Sequence, residues 1–376
     1  MNEQSVAATG ATTPEQLSFS FVQRPGLLRI TIVSFLLTLV TLGFYRFWAR
    51  THVRKHIWSS VHLNGEPLEY TGTGMELFKG FLLVFLVIIL PLTLFTGFAS
   101  FIYGPESPVI AIVQFVVIMA VYVLWGFAYY KAWNYKLSRT QWRGIRGALV
   151  GSAMIYSLLT FGSFMAKGMS LGWATPVMNT VLQEQITNDM RFGDAAFKFK
   201  GRAGPLYPTY ALSWFLTLGA IILAAVLIAA NYTFFSSDTF RNLTASGTEP
   251  SLSLIILLIG IGVVAILLFL LLFEMLWAVY TAKQMRTFAD YTRFDGAPFK
   301  LDATTGSIIG LTVVNLIILI FTLGAGWPYI NRRIVRYVVD RLTLEGHIDI
   351  DRISQSTAAM PTRGEGLFDA FDVGGL

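Results

Sequence analysis

Long apolar runs alternate with short mixed segments along this chain. The longest runs carry no charged residue, and each exceeds the roughly 18 to 20 apolar residues that cross a bilayer as a helix. These runs cover residues 80–105, 107–130, 203–237 and 250–273. The pattern predicts a polytopic helical membrane protein.

A second pattern occurs three times. The triplets Thr41-Leu42-Gly43, Ser170-Leu171-Gly172 and Thr322-Leu323-Gly324 each close an apolar segment. After each triplet, apolar residues recur every fourth position, which predicts one amphipathic helix used three times. The aligned positions are Tyr45, Ala49, Val53, Ile57, Val61; Ala174, Met178, Leu182, Ile186, Met190; and Gly326, Ile330, Ile334, Val338, Leu342. We interpret the three blocks as an internal repeat.

The repeat predicts one membrane domain over residues 17–353, between a polar tail (1–16) and a flexible tail (354–376). We call a segment that ends in the triplet type A, and the two that follow it types B and C. Type A covers 27–45, 147–169 and 305–326, type B covers 78–100 and 206–230, and type C covers 107–130 and 252–280.

Short strand-like runs with two-residue turns follow the amphipathic helices. Asn64-Gly65 is a strong hairpin signal, Gly193-Asp194 and Glu345-Gly346 are weaker ones, and Asp295-Gly296 lies in a fourth similar run. The expected fold is therefore an all-α polytopic membrane protein with internal repeats, with amphipathic interfacial helices and short β-hairpins on one cytoplasmic side.

Two topologies fit the apolar segments. If all seven span, the two ABC units are inverted repeats, as in many secondary transporters. If each A segment enters and leaves by one face, four segments span, and every Lys and Arg except Arg241 lies on one side, as the positive-inside rule favours. The close spacing of Arg29 and Arg46 around the first A segment also favours four spans, whereas the long uncharged stretch 303–331 favours seven.

Composition narrows the chemistry. The chain is 54% hydrophobic and only 13% charged, with a net charge of +6, and it has no cysteine, which excludes disulfides and thiolate chemistry. The basic residues flank membrane segments, so no nucleic-acid partner is expected. His52 and His56 have a metal-compatible spacing, but no acid or cysteine completes a set, so we expect no metal, no cofactor and no enzyme.

Two groups of residues are candidate sites. Glu274 is the acid deepest in an apolar run. Two interpretations are open: it has an intramembrane proton or cation role, or it lies at headgroup level beside Trp277.

Arg46, Arg50 and Arg54 form an i, i+4 ladder flanked by Trp48 and Trp58, and we expect them to contact anionic lipid headgroups or an anionic solute. Membrane lipids are thus the expected partners, and protein partners stay open. Gly43, Gly172 and Gly324 are the predicted helix breaks.

Several motifs resemble those of the YjgN-like family of bacterial inner-membrane proteins, a family of unknown function. They are Thr41-Leu42-Gly43-Phe44-Tyr45-Arg46-Phe47-Trp48-Ala49-Arg50, Leu63-Asn64-Gly65, Glu69-Tyr70-Thr71-Gly72-Thr73-Gly74-Met75-Glu76-Leu77 and Thr140-Gln141-Trp142-Arg143-Gly144-Ile145-Arg146-Gly147. The similarity covers about residues 17–350 and implies a bacterial inner-membrane location, with no activity or substrate.

Repeats and discontinuous A segments favour a transporter-like or channel-like protein. The scarcity of intramembrane charge makes a neutral, amphipathic or lipid-like solute the expected cargo. The alternative is a membrane-organising or partner-binding protein with a basic cytoplasmic platform and no flux.

Overall fold

The computed structural model describes residues 17–236, 252–350, 352–358 and 360–361. The described chain divides into two compact units. Unit 1 draws on residues up to 202, on 288–302 and on those from 318 onward, and unit 2 comprises 203–287 and 303–317.

Helices make up most of the described chain. The first group is α1 (Leu27–Val40), α2 (Arg46–Trp58), α3 (Gly74–Val84), a π-helical turn (Phe85–Ile89), α4 (Leu90–Tyr103), α5 (Pro108–Arg139), α6 (Ala153–Met169) and α7 (Thr175–Asp189). The second group is α8 (Tyr207–Ser236), α9 (Leu252–Tyr291), α10 (Thr305–Phe321) and α11 (Trp327–Val339).

Eleven short strands of unit 1 pair antiparallel in chain order. They are β1 (Phe19–Phe21), β2 (Val61–Leu63), β3 (Glu66–Pro67), β4 (Glu69–Tyr70), β5 (Thr140–Trp142), β6 (Ile145–Leu149), β7 (Met190–Phe192), β8 (Ala195–Phe199), β9 (Thr292–Phe294), β10 (Ala297–Leu301) and β11 (Leu342–Leu344). Strands β1 to β3 form one sheet and β4 to β11 form a second. The sequence predicted short hairpins on one side of the membrane domain, and the structure joins the strands into two sheets.

The strand pairing brackets every helical segment. In each case the last strand residue before a helical pair is paired with the first strand residue after it. The five partner pairs are Phe21↔Val61, Tyr70↔Thr140, Leu149↔Met190, Phe199↔Thr292 and Leu301↔Leu342. Each helical pair therefore returns to the sheet from which it left.

This pairing contradicts the seven-span alternative. Seven spans would place β1 and β2 on opposite faces of a bilayer, but these strands are hydrogen-bonded neighbours. Four helical stretches are long and apolar enough to cross a membrane: Gly74–Tyr103, Pro108–Arg139, Gly204–Ala229 and Gly260–Tyr291. The A helices α1, α6 and α10 have only 14 to 17 residues.

The three Thr/Ser-Leu-Gly triplets adopt one backbone conformation. Their leucines have φ of 49 to 51° and their glycines φ of 88 to 93°, the left-handed region that glycine adopts without steric cost. The Thr41 hydroxyl donates to the Leu37 carbonyl at 2.7 Å and accepts from the Tyr45 N–H at 2.9 Å. Ser170 and Thr322 make the same two bonds. The hydroxyl thus closes one helix and caps the next.

The tips of these turns are apolar and exposed. Leu42, Leu171 and Leu323 are 90%, 78% and 93% exposed, and Met169 and Phe321 beside them are also exposed. Apolar tips of this kind are unusual for a surface in water and are typical of segments that enter a membrane.

Most two-residue turns between strands follow the sequence. Asn64-Gly65 and Asp295-Gly296 have positive φ at both residues, as a tight hairpin turn requires. Arg143-Gly144 makes a further such turn between β5 and β6, which the sequence reading missed. The expected turn at Glu345-Gly346 is wrong, because β11 pairs back onto β10 and the chain continues over the core instead.

The inner faces of the strands enclose an apolar core in unit 1. Phe19 of β1 lies 6.4 Å from Phe299 of β10, measured between ring centroids, so the strand series turns back on itself. A cavity of about 290 Å³ lies inside it. Ile350 and Ile353 of the C-terminal segment also line this cavity.

The segment after β11 is tied to three β-turns. Arg352 pairs with Asp295 at 2.7 Å, the Ser354 hydroxyl donates to Asp194 at 2.9 Å, and the Gln355 amide donates to the Gly144 carbonyl at 2.7 Å. The expectation of a flexible tail began at residue 354. Ser354 and Gln355 make two of these contacts, and residues 359 and 362–376 lie outside the described residues.

Unit 2 contains α8 and most of α9. The Ser213 hydroxyl donates to the Leu276 carbonyl at 2.7 Å, and the Tyr210 ring packs edge-on against Trp277 and Tyr280. These contacts join the N-terminal part of α8 to the C-terminal half of α9.

Candidate functional site: a basic pocket beside an aromatic pocket

A basic pocket of about 150 Å³ lies between α1, α2 and α11 in unit 1. Its charged lining consists of Arg46, Arg50 and Arg54, which the i, i+4 spacing places on one face of α2. No Asp or Glu occurs among the described residues that line it. The three arginines of the predicted ladder thus line one pocket, and their expected contact with an anionic group stays a prediction.

Arg54 lies at the inner end of the ladder. Its side chain is buried, its guanidinium donates to the Tyr70 hydroxyl at 3.3 Å, and it lies 5.9 Å from the centroid of the Tyr70 ring. A buried guanidinium stays charged at every physiological pH. It therefore adds a fixed positive charge to the pocket.

Polar groups of two other helices complete the lining. Ser34 and Asn331 are buried, and Thr38 donates its hydroxyl hydrogen to the Ser34 carbonyl at 2.6 Å. The Asn331 Oδ1 atom is buried and finds no hydrogen-bond donor in the described part of the chain. A buried amide in this condition is unusual and calls for a partner.

Arg46 also lines a second, larger pocket. This aromatic pocket has a volume of about 410 Å³ and lies between the first triplet turn and the α3 helix with its π-helical continuation. Its walls are mostly aromatic, and the Arg46 guanidinium lies 5.0 Å from the Phe47 ring and 5.2 Å from the Phe81 ring. One arginine thus joins a basic pocket to an apolar one.

His56 lies on the same helix, near further positive charge. Burial lowers the pKa of His56, and the nearby charges of Arg332 and Arg24 lower it further. The ring is therefore neutral at pH 7, and arginines set the positive potential of this region.

The flanking tryptophans contact protein. The Trp58 indole donates to the Thr140 hydroxyl at 2.9 Å, and Trp48 packs on Phe78 with 5.7 Å between ring centroids. Neither residue lines the basic pocket. Their expected contact with lipid stays a prediction.

The other candidates lie apart from this pocket. Glu274 is exposed on α9, in unit 2, one turn before Trp277. His52 is exposed, and its Nδ1 lies 3.4 Å from the Tyr45 hydroxyl. In the described part of the chain, no three His, Cys, Asp or Glu residues come together as a metal site would require. The glycines Gly43, Gly172 and Gly324 occupy the three turn tips.

Sequence reasoning missed the α11 side of the pocket. Trp327, Pro328 and Asn331 follow the third triplet, about 280 residues from the arginines. No local signal links them to α2, because their contact depends on how the first and last helical pairs meet on the sheet.

These features define a polytopic membrane protein whose helical pairs all start and end on antiparallel sheets. The chain belongs to a family described as bacterial protein of unknown function (DUF898), which its residues 16–370 match. The resemblance deduced from the triplet and glycine motifs is thereby confirmed.

A stretch of 65 residues is 45% identical to inner membrane protein YjgN of Salmonella typhimurium. This stretch spans 17% of the present chain and 16% of that relative. No solved structure matches the chain. The family, this relative and the four long apolar helices together identify a multi-pass protein of the bacterial inner membrane.

Proposed function

We propose that the protein binds an anionic, lipid-like amphiphile and moves it within the inner membrane. The observation that carries this proposal is the position of Arg46, which lines both the basic pocket and the aromatic pocket. An amphiphile has the same two parts in the same order, a charged headgroup followed by hydrocarbon.

The chemistry of the basic pocket favours a phosphate-bearing headgroup. Guanidinium groups form paired, charge-assisted hydrogen bonds to phosphate oxygens. The volume of about 150 Å³ is roughly five times the volume of a water molecule in the liquid, which suits a small anionic group.

The aromatic pocket suits the hydrocarbon part of the same molecule. Its lining consists of apolar side chains and Arg46, and it lies beside the exposed tip at Leu42. Burying hydrocarbon against Phe rings is favourable at roughly 25 cal/mol per Å² of apolar surface. Lipid chains near the tip would have direct access to it.

We further propose that the sheets lie on the cytoplasmic side and that the three triplet blocks are an internal repeat. Most Lys and Arg of the chain lie in or next to the strands and the α2 and α11 helices, which fits the positive-inside rule. The cytoplasmic leaflet also carries the anionic lipids that a basic pocket would attract.

Leaflet exchange in proteoliposomes tests the transport proposal. The full-length protein is reconstituted with a trace of fluorescent phosphatidylglycerol, and an impermeant reductant bleaches the label in the outer leaflet. We expect bleaching beyond the outer-leaflet fraction, which indicates exchange between leaflets. Fluorescent phosphatidylethanolamine, which has no net charge, is expected to exchange more slowly.

Paired charge variants test the site. R46Q and R50Q remove guanidinium groups from the pocket, whereas R202Q removes one from an exposed loop of unit 1. We expect the first two to slow exchange by about tenfold, the effect of losing one charge-assisted hydrogen bond, and R202Q to match the wild type. Equal exchange rates in all three variants would contradict the assignment of the basic pocket as the headgroup-binding site. A wild-type protein that binds phosphatidylglycerol but gives no leaflet exchange would contradict transport. That result would favour the membrane-organising alternative.

A further inference from the structure

The cavity inside the strands of unit 1 is separate from both pockets described above. It has a volume of about 290 Å³ and draws its walls from the strands, from the ends of α5 and α11, and from the C-terminal segment. Drug-sized ligand pockets span about 300 to 1,000 Å³, so the cavity is at the lower end of that range.

The lining contains very few polar groups, and protein atoms satisfy the main ones. The Thr140 hydroxyl donates to the Lys136 carbonyl at 2.8 Å and accepts from Trp58, and the Arg191 guanidinium donates to the carbonyls of Asn188 and Met190 at 2.7 Å. Most of the remaining walls are Phe, Leu, Ile and Val side chains. Water gains few partners in such a space, which favours an apolar occupant.

Trp142 is the exception in this lining. Its side chain is buried, and its indole Nε1–H finds no acceptor in the described part of the chain. The neighbouring Arg143 guanidinium covers one ring face at 4.8 Å from the centroid. A buried indole N–H normally has a hydrogen-bond partner. A ligand with one oxygen acceptor would supply it.

We infer that this cavity binds a single alkyl chain that carries one carbonyl oxygen, with the chain against the Phe rings and the oxygen accepting from Trp142. A fatty acid and the acyl ester of a membrane lipid share this chemistry. The inference rests on the cavity alone and is independent of the basic pocket and of transport.

Photo-crosslinking tests the inference. The full-length protein in lipid nanodiscs is mixed with a palmitate analogue that bears a mid-chain diazirine, or in a parallel arm with a phosphatidylcholine that bears the same chain. Irradiation is followed by digestion and mass spectrometry. We expect adducts on the peptides that contain β5 to β8, and the arm that gives them identifies a free or an esterified chain as the source.

Two neighbouring positions on β11 give a matched pair of variants. Leu342 lines the cavity, whereas Thr343 is exposed on the other face of the strand. L342W fills the cavity and is expected to reduce these adducts by at least about tenfold, whereas T343W is expected to leave them unchanged. Equal adduct yields in the two variants, or adducts confined to the long apolar helices in both arms, would overturn the inference.

A second variant, W142F, tests the inference even if L342W fails to fold. It removes the indole N–H and keeps an aromatic ring in the same place. We expect the half-saturating concentration of the palmitate probe to rise by about fivefold, the effect of one neutral hydrogen bond. W48F, whose ring packs on Phe78 and does not line the cavity, is the control and is expected to keep the wild-type value. Equal half-saturating concentrations for W142F and the wild type would contradict the proposed hydrogen bond from Trp142 to the carbonyl oxygen.

Discussion

Glu76 shows how a single side chain organises the start of a spanning helix. Its carboxylate accepts from the Thr73 N–H at 3.3 Å, completing a capping box, and it also pairs with Arg139 at 2.7 Å and accepts from the Tyr135 hydroxyl at 2.5 Å. The pair is partly buried, with 13% of the Arg139 side chain exposed. The carboxylate therefore fastens α3 to the end of α5.

We expect E76Q to lower the free energy of unfolding by about 1 to 3 kcal/mol, because the charged partner of Arg139 is lost while a glutamine can keep the capping box. Thermal unfolding in detergent measures the effect. E66Q is the control, because Glu66 and Arg143 form an ion pair that is more exposed, and such pairs contribute about 0 to 1 kcal/mol. Equal losses in E76Q and E66Q would contradict this assignment.

His56 predicts a pH dependence of stability. Its pKa in the folded protein is lowered relative to 6.5 in an unfolded chain, first by burial. A backbone hydrogen bond with Arg24 opposes this shift, and the charges of Arg332 and Arg24 add to it. Below pH 6.5 the unfolded chain binds a proton that the folded protein excludes, so stability is complete above that pH and falls as the pH drops. We expect the unfolding temperature to fall from pH 7.5 to 5.5.

H56Q cannot titrate, so its decline over the same range is expected to be shallower than that of the wild type. H52Q removes an imidazole from an exposed position of the same helix and is the control. Parallel curves for H56Q and wild type would show that His56 does not contribute.

At the scale of elements, the triplet turns were predictable because their information is local. In each triplet the hydroxyl caps the next helix, the leucine forms the exposed tip, and the glycine adopts the left-handed conformation. All three copies have the same backbone conformation and hydroxyl bonds. The amphipathic helices that follow the triplets were predictable from the recurrence of apolar residues at every fourth position. The turn at Arg143-Gly144 was missed because nothing marks that arginine as a residue with positive φ.

The exposed tips predict that the short helical pairs dip into the lipid. A cysteine at Leu171, labelled with an environment-sensitive fluorophore, is expected to be quenched by lipids brominated in mid-chain, because 78% of this leucine is exposed at an apolar tip. A label at Asn64, in a β-turn, is expected to respond to aqueous iodide instead. Quenching of the Leu171 label by iodide alone would contradict membrane insertion.

At the scale of the whole molecule, the sequence supported four spans but did not predict the sheets. Strands that pair are separated by up to two long helices, as Tyr70 and Thr140 are, and neither strand contains information about its partner. The basic pocket has the same difficulty, since Asn331 and the arginines of α2 belong to opposite ends of the chain.

Accessibility in intact cells checks the topology. Single cysteines at Lys198 and Thr343, both exposed on strands, are expected to resist an impermeant maleimide, whereas one at Glu106, between α4 and α5, is expected to react. This expectation follows from the proposed cytoplasmic location of the strands. Reaction at Lys198 but not at Thr343 would restore the seven-span arrangement.

The order of the strands has a consequence for biosynthesis. Because spatial neighbours are also neighbours in the chain, each helical pair can insert and add its two strands to the growing sheet while the ribosome is still translating the next pair. The C-terminal segment that ties together the turns at residues 144, 194 and 295 is made after all of these strands. We therefore expect closure of the strand interior to follow the synthesis of this segment.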